Sequence, residues 1–307
     1  MLFRKLAVIS VVSCFLLSAC TAPVVDSADP YGRALPVTRN FLKESYKEQY
    51  QLAFLKSLQT PFAAEKAYFI QKYAAALDSL GRSDEALEAI DKGLAMVEGA
   101  GKEKLLISKG LILFSLNDPN GALSILRPII DTQREVAKSA KLGVVLHLSE
   151  YSNAFVAAVF AHMQLEQWKD AIDVLSDTYA FSEGPGFFSY QSLLYRYIMA
   201  RADTPALANP MLEMRAKKGA EIEKSHYGDL LRMWQGADNE REVNKRYMGL
   251  KPSAAQQDVL AEILFYRSAY QRFVKKDVAL SKVIFDRLNR LEPYGSIEWI
   301  YGKRVLQ

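Results

Sequence analysis

The sequence predicts an all-α architecture, a solenoid of helical hairpins that follows an export signal, and three observations carry the prediction. Beyond Thr38, apolar residues recur three and four apart, the period of a helix with one buried face. Alternating segments bounded by hairpin turns, the mark of strands, do not occur. A pattern of small and large residues also returns along the chain at an interval near that of helical repeats.

At the N-terminus, Arg4 and Lys5 precede an apolar run from Leu6 to Leu17, and Ser18-Ala19-Cys20 follows. A basic head, a short apolar centre and small residues make a secretory signal. The run is too short to span a bilayer, which takes roughly 20 residues. Leu17-Ser18-Ala19-Cys20 resembles the lipobox of bacterial lipoproteins. That resemblance implies removal of residues 1–19 and acylation of Cys20. Thr21 stands where an Asp holds such proteins at the inner membrane, which implies an outer-membrane, lipid-anchored, periplasm-facing protein. The only two cysteines are Cys14 and Cys20, so the body has no disulfide framework. Residues 20–37 form the acylated Cys and a flexible tether, with three prolines, one glycine and no helical period between Thr21 and Val37.

Residues 38–307 are expected to form a single helical domain. Leu80 to Leu94 resembles the turn and second helix of a tetratricopeptide repeat, with Ala74, Gly81, Ala86, Ile90 and Gly93 at its packing positions. A second unit places Gly110, Asn117, Ala122, Leu126 and Ile129 likewise, and Ala122 lies 36 residues after Ala86, against about 34 in the family. Asp118 is expected to cap its second helix, with Pro119 in the first turn. A third unit runs through Phe155, Val159, Trp168, Ala171 and Leu175, where Val159 and Thr178 replace small residues and weaken the expectation of close packing. The fourth carries Phe265, Ala269, Ser281, Phe285, Leu288 and Pro293, introduced by a capping box of Ser253 and Gln256. Tyr190 to Gly249 reads as two or three helical pairs, divided near Thr204-Pro205, Asn209-Pro210 and Gly236-Ala237-Asp238. The aromatics of Phe187-Phe188-Ser189-Tyr190, after a Gly-Pro-Gly loop, are expected to begin one of these helices and pack inward.

Chemistry-bearing patterns are sparse. Loss of Arg4 and Lys5 lowers the net charge from +4 to about +2, without the basic field that nucleic acid requires. His147, His162 and His226 lie far apart, with no metal-ligand spacing. Gly99-Ala100-Gly101-Lys102 lacks the first Gly and the final Ser or Thr of a phosphate loop and reads as an inter-helix loop. The carboxylates of Asp84-Glu85 and Glu240-Arg241-Glu242 alternate with basic residues, as on a solvated helix face, and nothing in the sequence marks a carboxylate as buried. No catalytic residue, metal or cofactor is expected, and the chain does not read as an enzyme.

The repeat register assigns a concave groove. Its residues are Tyr68, Gln71, Ala75 and Asp78 in the first unit, and Lys104, Ile107, Leu111 and Phe114 in the second. Asn153, Val156, Phe160 and Met163 follow in the third, then Ile263, Tyr266, Tyr270 and Phe273. Tyr68, Gln71, Lys104, Phe114, Asn153, Phe160, Tyr266 and Tyr270 are the candidate partner contacts. So apolar a groove either holds a partner peptide or is filled by a later helix or by a second copy in a homodimer. The C-terminal spacing of Ala261-Glu262, Phe265-Tyr266, Tyr270, Asp277, Phe285 and Glu298 resembles that of the NlpI-like tetratricopeptide lipoproteins of the outer membrane. That resemblance implies a non-catalytic adaptor for envelope proteins such as cell-wall hydrolases or a protease. The alternative is a lipoprotein that neutralises a secreted toxic effector, as some tetratricopeptide immunity proteins do.

Overall fold

Several helices in this chain start where a side chain accepts from the free N–H groups of the first turn, and several stop where the backbone turns left-handed. Asp118 Oδ1 accepts from the Gly121 amide at 2.8 Å, the cap expected ahead of Pro119. Asn209 Oδ1 takes the amides of Met211 and Leu212 at 3.1 and 3.2 Å, and Asp277 Oδ1 that of Leu280 at 2.9 Å.

The computed structural model describes residues 39–139, 151–177, 185–250 and 256–307. All of them belong to the unit Leu35–Gln307. The export signal, Cys20, the tether, His147, Thr178 and the Ser253 half of the capping box lie outside the described residues.

The described residues are all-α, with no strand. The helices are α1 (Arg39–Gln59), α2 (Ala63–Ser79), α3 (Ser83–Leu94), α4 (Ala100–Ser115) and α5 (Pro119–Ser139). Then come α6 (Ser152–Gln164), α7 (Trp168–Asp177), α8 (Pro185–Ala202), α9 (Pro210–Ile222), α10 (His226–Trp234) and α11 (Glu240–Gly249). Helix α12 (Gln257–Ala269) runs into a π turn at Tyr270–Val274, and α13 (Val278–Leu291) and α14 (Ile297–Val305) close the chain. Each helix packs on the next, and α2, α4 and α6 also pack on one another in order. The breaks after Ala202 and after Trp234 fall where Pro205, Pro210 and Gly236 place them in the sequence, whereas a further break at 223–225, between α9 and α10, was not anticipated. Helix α4 begins at Ala100, so of the expected loop at 99–102 only Gly99 lies outside a helix. Among the described residues, no helix is long and apolar enough to cross a membrane.

Four hairpins share one turn. Gly81, Asn117, Glu166 and Lys276 have φ of +77°, +67°, +55° and +59°, and each stands five residues before a fully buried small residue, Ala86, Ala122, Ala171 or Ser281. In the first three, the left-handed residue's amide bonds the carbonyl three back, and the next amide bonds the carbonyl five back. For Gly81 and Arg82 these acceptors are Asp78 and Leu77, at 2.8 and 2.9 Å. This pair of bonds satisfies carbonyls that the helix end would otherwise leave open. Glycine adopts such φ freely, whereas the other three residues hold it against a steric cost. In the fourth hairpin the π turn adds a residue, and the Asp277 amide bonds the Gln271 carbonyl, six back.

The small residues set how closely helices meet. A Cβ at Gly110 on α4 would stand 2.8 Å from Leu126 Cγ on α5, and Leu126 is fully buried. Gly110→Ala gains about 1 kcal/mol of helix propensity. Overpacking a filled contact costs about 1–3 kcal/mol. With Leu126 walled in, the loss dominates, and a lower urea midpoint for Gly110→Ala is expected; an unchanged or raised midpoint would show that Leu126 yields. Val159, in place of a small residue, is itself buried between α6 and its neighbours, so the larger side chain is accommodated there.

Candidate functional site

Helix α2 presents Ala75 and Asp78 to one side, and α4 presents Leu111 and Phe114 to the same side. Tyr294, Gly295, Ile297 and Ile300, from the turn before α14 and from α14 itself, face them across a hollow of about 160 Å³. Of the eight residues that α2 and α4 contribute to its wall, these four belong to the groove expected from the sequence, and Ser79, Ser108, Ile112 and Ser115 do not. Asp78 sits at its polar edge and accepts from Ser83 Oγ at 2.6 Å and Ser115 Oγ at 3.0 Å. Burial pushes its carboxyl up to about 6, against the lowering effect of those hydroxyls.

The eight candidate contacts divide into two groups. Tyr68, Lys104 and Asn153 are exposed, and Gln71 is half-buried, donating from Nε2 to Ser108 Oγ at 3.0 Å and so tying α2 to α4. Phe114, Phe160, Tyr266 and Tyr270 are buried. The C-terminal helix covers the first two. Tyr301 of α14 meets Phe160 edge-on at 5.5 Å and Tyr197 at 5.8 Å, and its hydroxyl accepts from Tyr197 at 3.0 Å. Arg304 lies 4.7 Å above the Phe114 ring and donates from Nη2 to the Phe114 carbonyl at 2.7 Å. Of the two occupants weighed for the groove, a later helix fills this part. Tyr266 and Tyr270 pack against Trp234 of α10, at 6.4 and 5.6 Å between ring centres.

A second constellation was missed by the sequence reading, which saw no buried carboxylate. Glu262 on α12 and Glu298 on α14 are both buried. Glu262 Oε2 lies 2.6 Å from His226 Nε2, and Tyr227 donates to its Oε1 at 3.0 Å. Tyr190 donates to Glu298 Oε1 at 2.8 Å, and Ser296 to its Oε2 at 3.2 Å. Burial is the main cause of each displacement here. It pushes Glu262 up to about 8 and His226 down to about 4, with Arg246 adding to the latter. Burial thus disfavours the charged form of each partner. Burial also pushes Glu298 up to about 8, helped by the negative charge of Glu262, and the Tyr190 and Tyr266 hydroxyls are raised well above their usual range. No described hollow is lined by either glutamate. The cluster is an internal hydrogen-bonded joint between α8, α10, α12 and α14. His162 is likewise internal, buried with Nδ1 2.7 Å from Gln167 Oε1. Among the described residues no group of His, Cys, Asp and Glu is placed to hold a metal ion.

No protein-family model matches the chain, and comparison with curated proteins finds no match.

Proposed function

We propose that this chain is a non-catalytic interaction scaffold of the cell envelope, a tetratricopeptide-like solenoid of the NlpI-like kind. In this reading Cys20 carries a lipid anchor in the outer membrane, and the body faces the periplasm. The observation that carries the proposal is the hollow between the α2–α4 wall and α14, because Ala75, Asp78, Leu111 and Phe114 all come from the register expected to contact a partner. At about 160 Å³ it is smaller than the roughly 300–1,000 Å³ of small-molecule pockets. It suits one aliphatic or aromatic anchor side chain of a partner polypeptide, entering between Leu111, Ile297 and Ile300. Tethering such a body to the membrane raises the local concentration of whatever it holds.

A photo-crosslinking residue at Ala75, which is exposed, tests this in intact cells against the same residue at Glu88 on the outer face of α3. Resident cell-wall hydrolases or proteases captured from position 75 and absent from position 88 are the expected result. Equal capture from both positions, or none, removes the reading. A single secreted toxin captured from position 75 would replace it with the immunity reading.

A further inference from the structure

The outermost hairpin carries an apolar corner that the scaffold reading does not use. Helix α1 buries Leu42, Ala53 and Ser57 against the body. Its opposite face carries Leu52, Leu55 and Leu58, which are 58%, 54% and 63% exposed, and Phe62 in the turn to α2 is 69% exposed. Four large apolar side chains on one protruding helix end are unusual, since isolated surface apolar residues are scattered singly. Basic side chains stand beside them. Lys56 lies 5.5 Å from the centre of the Phe69 ring and Lys72 5.4 Å from that of Tyr68, with Lys66 in the first turns of α2. Glu65 is the one acidic residue between Leu52 and Asp78.

From this we infer that the α1–α2 corner docks on an anionic phospholipid surface, with Leu55, Leu58 and Phe62 entering the headgroup region and Lys56 and Lys66 on the lipid phosphates. Leucine and phenylalanine flanked by lysine is the composition of interfacial membrane contacts. Basic residues are drawn to anionic lipid, a complementarity that a like-charged second copy of the same corner lacks. The length of chain outside the described body allows it. Thr21 to Thr38 is 18 residues, which fully extended reach about 60 Å. The corner lies one length of α1, about 30 Å, from Arg39. Docking there sets the orientation of the scaffold. The hollow is lined by the far end of α2, away from the docked corner.

The inference rests on Cys20 as the lipid-carrying residue, and the test separates the two. The mature body contains no thiol apart from the acylated Cys20, so Phe62→Cys accepts a single environment-sensitive fluorophore, and Arg241→Cys on exposed α11 gives the control. Each labelled full-length protein is reconstituted in phosphatidylethanolamine–phosphatidylglycerol vesicles containing spin-labelled lipid. Blue-shifted emission and quenching at position 62, absent at 241 and reduced severalfold by Lys56→Glu with Lys66→Glu, is the expected result. A probe at 62 that lipid never quenches overturns the inference. If its blue shift then grows with protein density, a second copy covers the corner; if it stays unshifted, the corner stands in water. The mass of the N-terminal peptide reports acylation independently. If the N-terminal peptide is unacylated, the Cys20 reading falls, and a Cys14→Ser, Cys20→Ser chain labelled only at Phe62→Cys then tests docking by itself on the same vesicles: quenching at 62 leaves the docking surface standing, and its absence overturns it.

Discussion

Tyr301→Ala lowers the free energy of unfolding by about 3–5 kcal/mol, the range for truncating a buried aromatic side chain to alanine. Tyr301 is fully buried, and its ring is shared by Phe160 of α6, Tyr197 of α8 and Phe265 of α12. These helices lie far apart in sequence and all three contact this ring, so the space left cannot be refilled by moving a single neighbour. The Tyr197 hydroxyl, which donates to Tyr301, is left without that acceptor in the interior and adds to the loss. Tyr301→Phe keeps the ring contacts and removes only the hydroxyl, so its expected cost is about 1 kcal/mol. Urea denaturation of the three proteins orders them wild type, Phe, Ala. An alanine variant within 1 kcal/mol of wild type would mean that α14 is not what holds α6, α8 and α12 together. Because Ile297 and Ile300 of the same helix wall the hollow, the alanine variant should also lose crosslinking from position 75.

The hairpin register was legible because it is written in local residues. Ala74, Ala86, Ala122 and Ala171 are small for a reason that acts within about 40 residues, and all four are fully buried where a neighbouring helix comes close. Asp118 and Pro119 announce a helix start in two residues. What covers a helix face is different, since it depends on a partner that can come from anywhere in the chain. Phe114 reads as a groove residue whose cover, a partner or a later helix, the sequence leaves undecided, and the guanidinium that lies on it belongs to Arg304, 190 residues later. The buried glutamates had a signal that went unread. From Leu260 to Tyr270 helix α12 is apolar on every side apart from Glu262, Arg267 and Ser268, and a helix apolar all round lies in the interior and takes its polar residues with it. Every described residue in that stretch is buried. The charge-patterning argument that suited Glu240-Arg241-Glu242 fails for a carboxylate flanked by Ala261 and Ile263.

The second large effect follows from those glutamates and shows itself as a pH profile. An unfolded glutamate binds its proton near pH 4.5, whereas Glu298 in the fold holds it up to about 8. Between those values the native state carries the extra proton, so the associated stability is fully present below pH 4.5 and is lost as pH rises through 8. Glu262 acts in the same direction over the same window. His226 acts oppositely, since its folded value falls to about 4, and it costs stability only as pH drops from 6.5 toward 4. Asp78, raised to about 6, has completed its titration below pH 6.5 for the most part. Across the interval from pH 6.5 to 8 the two glutamates are the groups displaced furthest into that range, with Asp177 and Asp258 raised by burial in the same direction. One proton corresponds to about 1.4 kcal/mol per pH unit, so the wild type is expected to lose about 2–4 kcal/mol across it. Glu298→Gln removes one of the two titrations. Its carbonyl oxygen can still accept from Tyr190 and its amide can donate to Ser296 Oγ, so the joint keeps its hydrogen bonds. The variant should show about half the wild-type slope and overtake the wild type in stability near pH 8. A wild type whose denaturation midpoint is flat from pH 6.5 to 8, or a Gln variant with the full slope, would place the titrating protons elsewhere in the protein.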